Sequence, residues 1–95
     1  MSFIDSYKNM GCQRGGVLVF PFEKAIIIVD ELEKSHIDIL GIDGFKIGPD
    51  WIQPFMEHSI DFGCKTNNWA SARNFLSEKN KLDLVFELVV HNKNN

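Results

Sequence analysis

An α+β fold, with two or three helices packed on one face of a mostly antiparallel sheet of about four strands, is what this sequence of 95 residues predicts. Three observations carry that expectation. The stretches from Pro21 to Lys34 and from Asn67 to Lys79 place apolar residues at helical spacing. The stretch from Leu82 to Val90 alternates apolar and polar residues as a strand does. Asp43-Gly44, between Ile42 and Phe45, is the dipeptide that a two-residue hairpin turn favours, because both central positions of that turn take positive φ.

Each element follows from local chemistry. Phe3, Ile4, Tyr7 and Met10 lie at helical spacing, and Gly11 stands where a left-handed C-terminal residue would sit. Gly15-Gly16 breaks that pattern, and Val17 to Phe20 reads either as a short strand or as an apolar lead-in to the next helix. Pro21 suits a helix start because its missing N–H would be unbonded there, and Glu23 complements the positive helix end. Phe22, Ala25, Ile26, Val29, Leu32 and His36 then mark one face. The β-branched run Ile26-Ile-Ile-Val29 argues for a strand; the length of the segment and the following Asp-Glu-Leu-Glu-Lys34 decide for a helix.

Ile37 to Ile42 is apolar apart from Asp38, as in a covered strand. A short strand from Phe45 to Ile47 should follow the turn and end at Gly48-Pro49. A third extended piece is expected within Trp51 to Phe62, where Pro54 forbids a central ladder position. Asn67 or Asn68 would cap the second helix, with Trp69, Ala72, Phe75 and Leu76 inward and Arg73, Glu78 and Lys79 in water. Leu82, Leu84, Phe86, Leu88 and Val90 form one face of the last strand, with Asp83 and Glu87 on the other. His91 to Asn95 is a polar tail. If Val17 to Phe20 is a strand, the order fits a split βαββαβ arrangement.

The length and a hydrophobic fraction of 44% fit one domain over residues 1–95, with enough apolar material to fold alone. The opening residues lack the basic region and apolar run of a secretory signal, and the longest aliphatic run is Ala25 to Val29, so a soluble cytoplasmic protein without a membrane partner is expected. Cys12 and Cys64 read as free thiols in that compartment.

Charge is unevenly placed. From Glu23 to Asp61 nine of the thirteen carboxylates meet three lysines, a local −6, while the remainder of the chain sums to +3. Such a field steers a cationic partner and says little about fold. Asp30, Glu31 and Glu33 read as a solvated helix face beside Lys24 and Lys34. Asp43 reads as either a turn residue or a contact. Asp50, Glu57 and Asp61 alternate with Trp51, Phe55 and Met56, the aromatic anchors ringed by charge of a protein-binding hot spot, although Trp51 and Phe55 also suit a core. His58 lies in the same segment.

Other chemistries find no support. No glycine-rich phosphate loop occurs, and Cys12, His36, His58, Cys64 and His91 stand singly, without the paired spacing of a zinc site. No metal or cofactor is expected. A Cys64–His58 pair is the best catalytic candidate, yet no nucleophile–base–orienter set can be named, so the chain does not read as an enzyme. His36, near a helix end, reads as a capping or half-buried histidine. Arg14, Lys65, Arg73, Lys79 and Lys81 form no dense stripe for a phosphate backbone, which disfavours direct nucleic-acid binding.

The helix ending in Glu-Lys-Ser-His36, the run Ile37-Asp-Ile-Leu-Gly-Ile-Asp-Gly44, the Trp-containing segment, the Asn68-Trp-x-x-Ala-x-x-Phe-Leu76 helix and the terminal apolar strand together resemble bacterial toxin-immunity proteins. These include the immunity proteins of polymorphic and contact-dependent inhibition toxins and of nuclease colicins. The resemblance covers roughly residues 21–90 and is sharpest at Leu40 to Gly44. It implies a non-catalytic inhibitor whose partner is a cognate toxin C-terminal domain, a basic nuclease being the expected kind. The residue-level reading assigns toxin contact to Asp43, Asp50, Trp51, Phe55, Glu57, His58 and Asp61. The alternative is an acidic nucleic-acid mimic that inhibits a host nuclease or restriction complex with the same carboxylates.

Overall fold

The computed structural model describes residues 3–63 and 65–91. Its elements are a 3₁₀ helix Phe3–Met10, β1 Cys12–Arg14, β2 Val17–Val19, α1 Phe22–Lys34, β3 Ile39–Ile47, β4 Ile52–Asp61, α2 Trp69–Lys79, a 3₁₀ turn Asn80–Leu82 and β5 Val85–Val90. The N-terminal segment thus keeps its helical spacing in the tighter 3₁₀ form. Val17–Val19 is a strand, paired with β1 around Gly15 and Gly16, which both take positive φ.

The main sheet runs β4-β3-β5, with antiparallel pairing throughout. An antiparallel bridge between Phe20 and Phe86, with both backbone bonds at 2.8 Å, attaches β2 to the far side of β5. It follows that β2 and β3 run parallel with β5 between them, and β4 and β5 run parallel with β3 between them. Each helix therefore closes a split βαβ unit. The expected α+β class holds, with five strands in two sheets among the described residues in place of about four in one.

Both helices pack against one side of the three-stranded sheet. Ala25, Ile28, Val29 and Leu32 of α1 and Trp69, Ala72, Phe75 and Leu76 of α2 are buried in one cluster with Ile39, Ile42, Phe86 and Leu88. The β-branched run thus sits in a helix, where Ile28 and Val29 are fully buried and Ile27 faces water. Burial of that stripe outweighs the few tenths of a kcal/mol that each β-branched residue costs in a helix.

His36 is not on the helix face. It follows the C-cap Ser35 at φ 55, with its N–H donating to Glu33 O at 3.0 Å, while Ile37 N–H reaches Leu32 O at 2.9 Å. This is a Schellman termination, closed by the apolar pair Leu32 and Ile37, with histidine in the left-handed place that glycine normally takes. Asn68 is the N-cap of α2, yet its side chain makes no capping bond. Its amide is buried and turned toward β3, where it accepts from Ile39 N–H at 3.1 Å and donates to Ile39 O and to Lys65 O.

The Asp43-Gly44 hairpin is the main correction. β3 runs straight through both residues to Ile47, and the turn is Gly48 to Trp51, with Gly48 N–H donating to Trp51 O at 2.9 Å. Gly44 serves a different need. Across the ladder Asp43 pairs with Ser59 while Gly44 pairs with Phe55, so Met56, Glu57 and His58 are looped out of β4. A Cβ on Gly44 would lie 2.6 Å from the His58 carbonyl oxygen, so the bulge fits only over glycine. Pro54 sits on β4, an edge strand, as its missing N–H requires.

Candidate functional site

Alternation along β3 and β5 divides their side chains between two faces. Ile42 pairs with Leu88 and Gly44 with Phe86 on the helix side; Asp43 pairs with Glu87 and Gly41 with Val89 on the other. The far side of the sheet therefore carries one cross-strand row of Ser59, Asp43 and Glu87, and a second of Asp61, Gly41 and Val89. An open groove of about 410 Å³ lies over this end, lined by Leu40, Gly41, Asp43, Met56, Ser59, Ile60, Asp61 and Val89.

The bulge decides which expected contact residues share this surface. Asp43 and Asp61 meet on the groove, joined by Met56, which is 85% exposed. Glu57 stands exposed on the bulge. Phe55 packs against the core from the helix side, so it is not a free anchor. His58 is half-buried, its ring 6.1 Å from that of Phe55 and its Nδ1 buried without a hydrogen-bond partner.

Asp50 and Trp51 form the hairpin turn at the opposite end of the sheet. The six residue steps along β3 from Gly41 to Ile47 put that turn about 20 Å from Gly41. Trp51 is 47% exposed, so it is not a core residue. Its indole lies over Gly48, where a Cβ would collide with Nε1. The Arg14 guanidinium donates to Gly48 O and ties the turn to β1. The expected contact set is thus split into a groove pair, an inward pair, a turn pair and Glu57 alone on the bulge.

Electrostatics separates the acidic surfaces further. On α1, Asp30 and Glu33 both bond the Arg73 guanidinium from α2, Asp30 at 2.8 Å, and Glu31 pairs with Lys34 at 3.2 Å. The hydrogen bond that Arg73 donates to Glu33 is the largest of the influences that hold Arg73 charged. Each of those three carboxylates thus has a cation beside it. Among the described residues no ion pair joins Asp43, Glu57, Asp61 or Glu87 to a cation. Like charges directly across a ladder repel, and here Asp43 faces Glu87. Burial first, and then the Asp43 charge, push the Glu87 carboxyl above its ordinary value.

Between the ordinary glutamate value and the raised folded value, the folded state holds more protons than the unfolded one. Stability therefore falls as pH rises through that window, and the penalty is fully present above it. Glu87→Gln is expected to stabilise the fold by about 0.5 kcal/mol at pH 7, a modest figure because the carboxylate is partly in water. Urea unfolding of both proteins at pH 7 and near pH 4 checks this, since the gain should vanish at the lower pH.

Glu87 and Ser59 were not among the expected contact residues. The alternation of the last strand already turned Glu87 away from the core, but only register sets it opposite Asp43. Among the described residues no group of three or more His, Cys, Asp or Glu is placed to hold a metal ion. Nor is any helix among these residues long and apolar enough to cross a membrane. Cys12 is a free, half-buried thiol; Cys64, and with it the Cys64–His58 pair, lies outside the described residues, as do residues 92–95 of the polar tail. No protein-family model matches this chain and no curated protein matches it, so its function is read from the chemistry of the sheet face alone.

Proposed function

We propose that this chain is an inhibitor of the toxin-immunity kind, which docks the acidic end of its helix-free sheet face on a basic protein domain, most naturally a nuclease. The observation that carries the reading is the directly opposed pair Asp43 and Glu87, with Asp61 beside it, none of them ion-paired to a cation among the described residues. A fold tolerates such a row at a cost in stability, and a partner that brings positive charge removes that cost. A nuclease surface is basic because it must hold phosphates, so an acidic inhibitor can occupy the same field. Met56 and Val89, exposed beside the carboxylates, supply the apolar contact that long residence needs.

The test is co-expression with basic nuclease toxin domains, beginning with any encoded beside this chain. The expected result is restored growth and co-purification as a complex whose association slows steeply between 0.05 and 0.5 M salt. Protection against many unrelated nucleic-acid enzymes would point instead to the nucleic-acid mimic, because an immunity protein discriminates sharply. Absence of both protection and co-purification would end the inhibitor reading.

A further inference from the structure

We infer that the hollow over Gly41 is a socket for one arginine side chain of the partner. The inference rests on the reading of this face as a docking surface for a basic protein. In the row Asp61, Gly41 and Val89 the central residue has no side chain, while its neighbours on both flanking strands do. The backbone itself imposes the glycine: a Cβ there would stand 2.9 Å from the Ile60 carbonyl oxygen. The result is a depression floored by main chain and walled by Leu40, Met56 and Val89.

The polar groups on its rim can accept hydrogen bonds, and their donors are already engaged. Ser59 Oγ–H donates to Phe55 O at 3.1 Å, which leaves the hydroxyl oxygen free to accept. Asp61 takes the Gly63 N–H on Oδ1 at 2.8 Å and keeps its second oxygen. Asp43 is diagonal to Asp61 across the ladder, about 7–8 Å away at the backbone. A guest must therefore be a pure donor, cationic, with an apolar stem for Met56 and Val89. Lysine and arginine both qualify in charge. A planar guanidinium offers five donors spread over two carboxylates and a hydroxyl, whereas an ammonium presents a single point of charge, so the arrangement selects arginine.

Titration of the isotopically labelled protein with acetyl-Gly-Arg-Gly-amide, followed by NMR, tests this directly. Saturable amide shifts are expected at Gly41, Asp43, Ser59, Asp61 and Val89, with weaker binding of the lysine peptide and none of the uncharged citrulline peptide. The shape-conserving double variant Asp43→Asn with Asp61→Asn should weaken the arginine peptide by at least about tenfold. Shifts that never saturate, that spread equally to Asp50 and Glu23, or that survive the double variant would overturn the socket. A chain that protects against a toxin without these shifts loses the socket and keeps its role as inhibitor. Peptide binding at Gly41 in a chain that protects against nothing upholds the socket and removes only the toxin as its source of arginine.

Discussion

Asn68→Ala is expected to lower stability by about 2–4 kcal/mol, although the residue touches no part of the proposed docking face. Its side chain is 5% exposed and accepts from Ile39 N–H while donating to Ile39 O, as a neighbouring strand would. β4 no longer pairs with β3 at that point, since the ladder ends at Gly41 opposite Asp61. The amide therefore stands in for the missing strand and fastens the start of β3 to the start of α2. Removal leaves a buried donor and a buried acceptor unmatched, each worth about 1–3 kcal/mol. Trp69 reinforces the same junction through its Nε1–H to Ile37 O at 2.8 Å. Urea unfolding with an unchanged m-value is the measurement. A loss below about 1 kcal/mol would mean that water replaces the amide and that the junction is not pinned by it.

Phe86→Ala should cost about 3–5 kcal/mol, a large share of the 5–15 kcal/mol that holds a domain of this size together. The side chain is fully buried, with its ring edge-on to Phe75 at 6.5 Å. Its cross-strand neighbour on β3 is Gly44, which has no side chain to relax into the hole. The cavity should therefore stay open, at the upper end of the range. Thermal and urea midpoints of the purified variant test this, with Phe86→Leu as the control that keeps most of the volume and loses under about 1.5 kcal/mol. Similar losses in the two variants would show that the core repacks around the deletion.

The helices were legible because their burial follows one period without interruption: Ala25, Val29 and Leu32, then Trp69, Ala72, Phe75 and Leu76. The last strand was legible for the same reason from Val85 on, whereas Leu82, expected on its inner face, lies in the preceding 3₁₀ turn and is exposed. Asp43-Gly44 misled because a local turn signal is also what a strand needs where another backbone crowds it, and only the partner strand distinguishes the two. The site was half legible. Asp43 and Asp61 stood out by charge, yet an alternating reading of β4 places Phe55, Glu57, Ser59 and Asp61 on one face. One residue step on β3 corresponds to four on β4 at the bulge, which reverses the parity. Phe55 therefore turns to the core while Ser59 and Asp61 turn to the groove. No single-strand pattern contains that reversal.

The same bulge governs how the chain behaves in company. A bare outer strand is a template on which another copy can lay its own backbone and begin an aggregate. On β4 the run of free amides is broken at Pro54 and again two residues later, where the looped segment begins at Met56, so no long straight stretch is left for a second chain to zip along. Docking on the proposed face would then rest on side chains of the sheet surface, where charge and shape choose a partner. An inhibitor built this way would accumulate in excess of its target without first meeting itself.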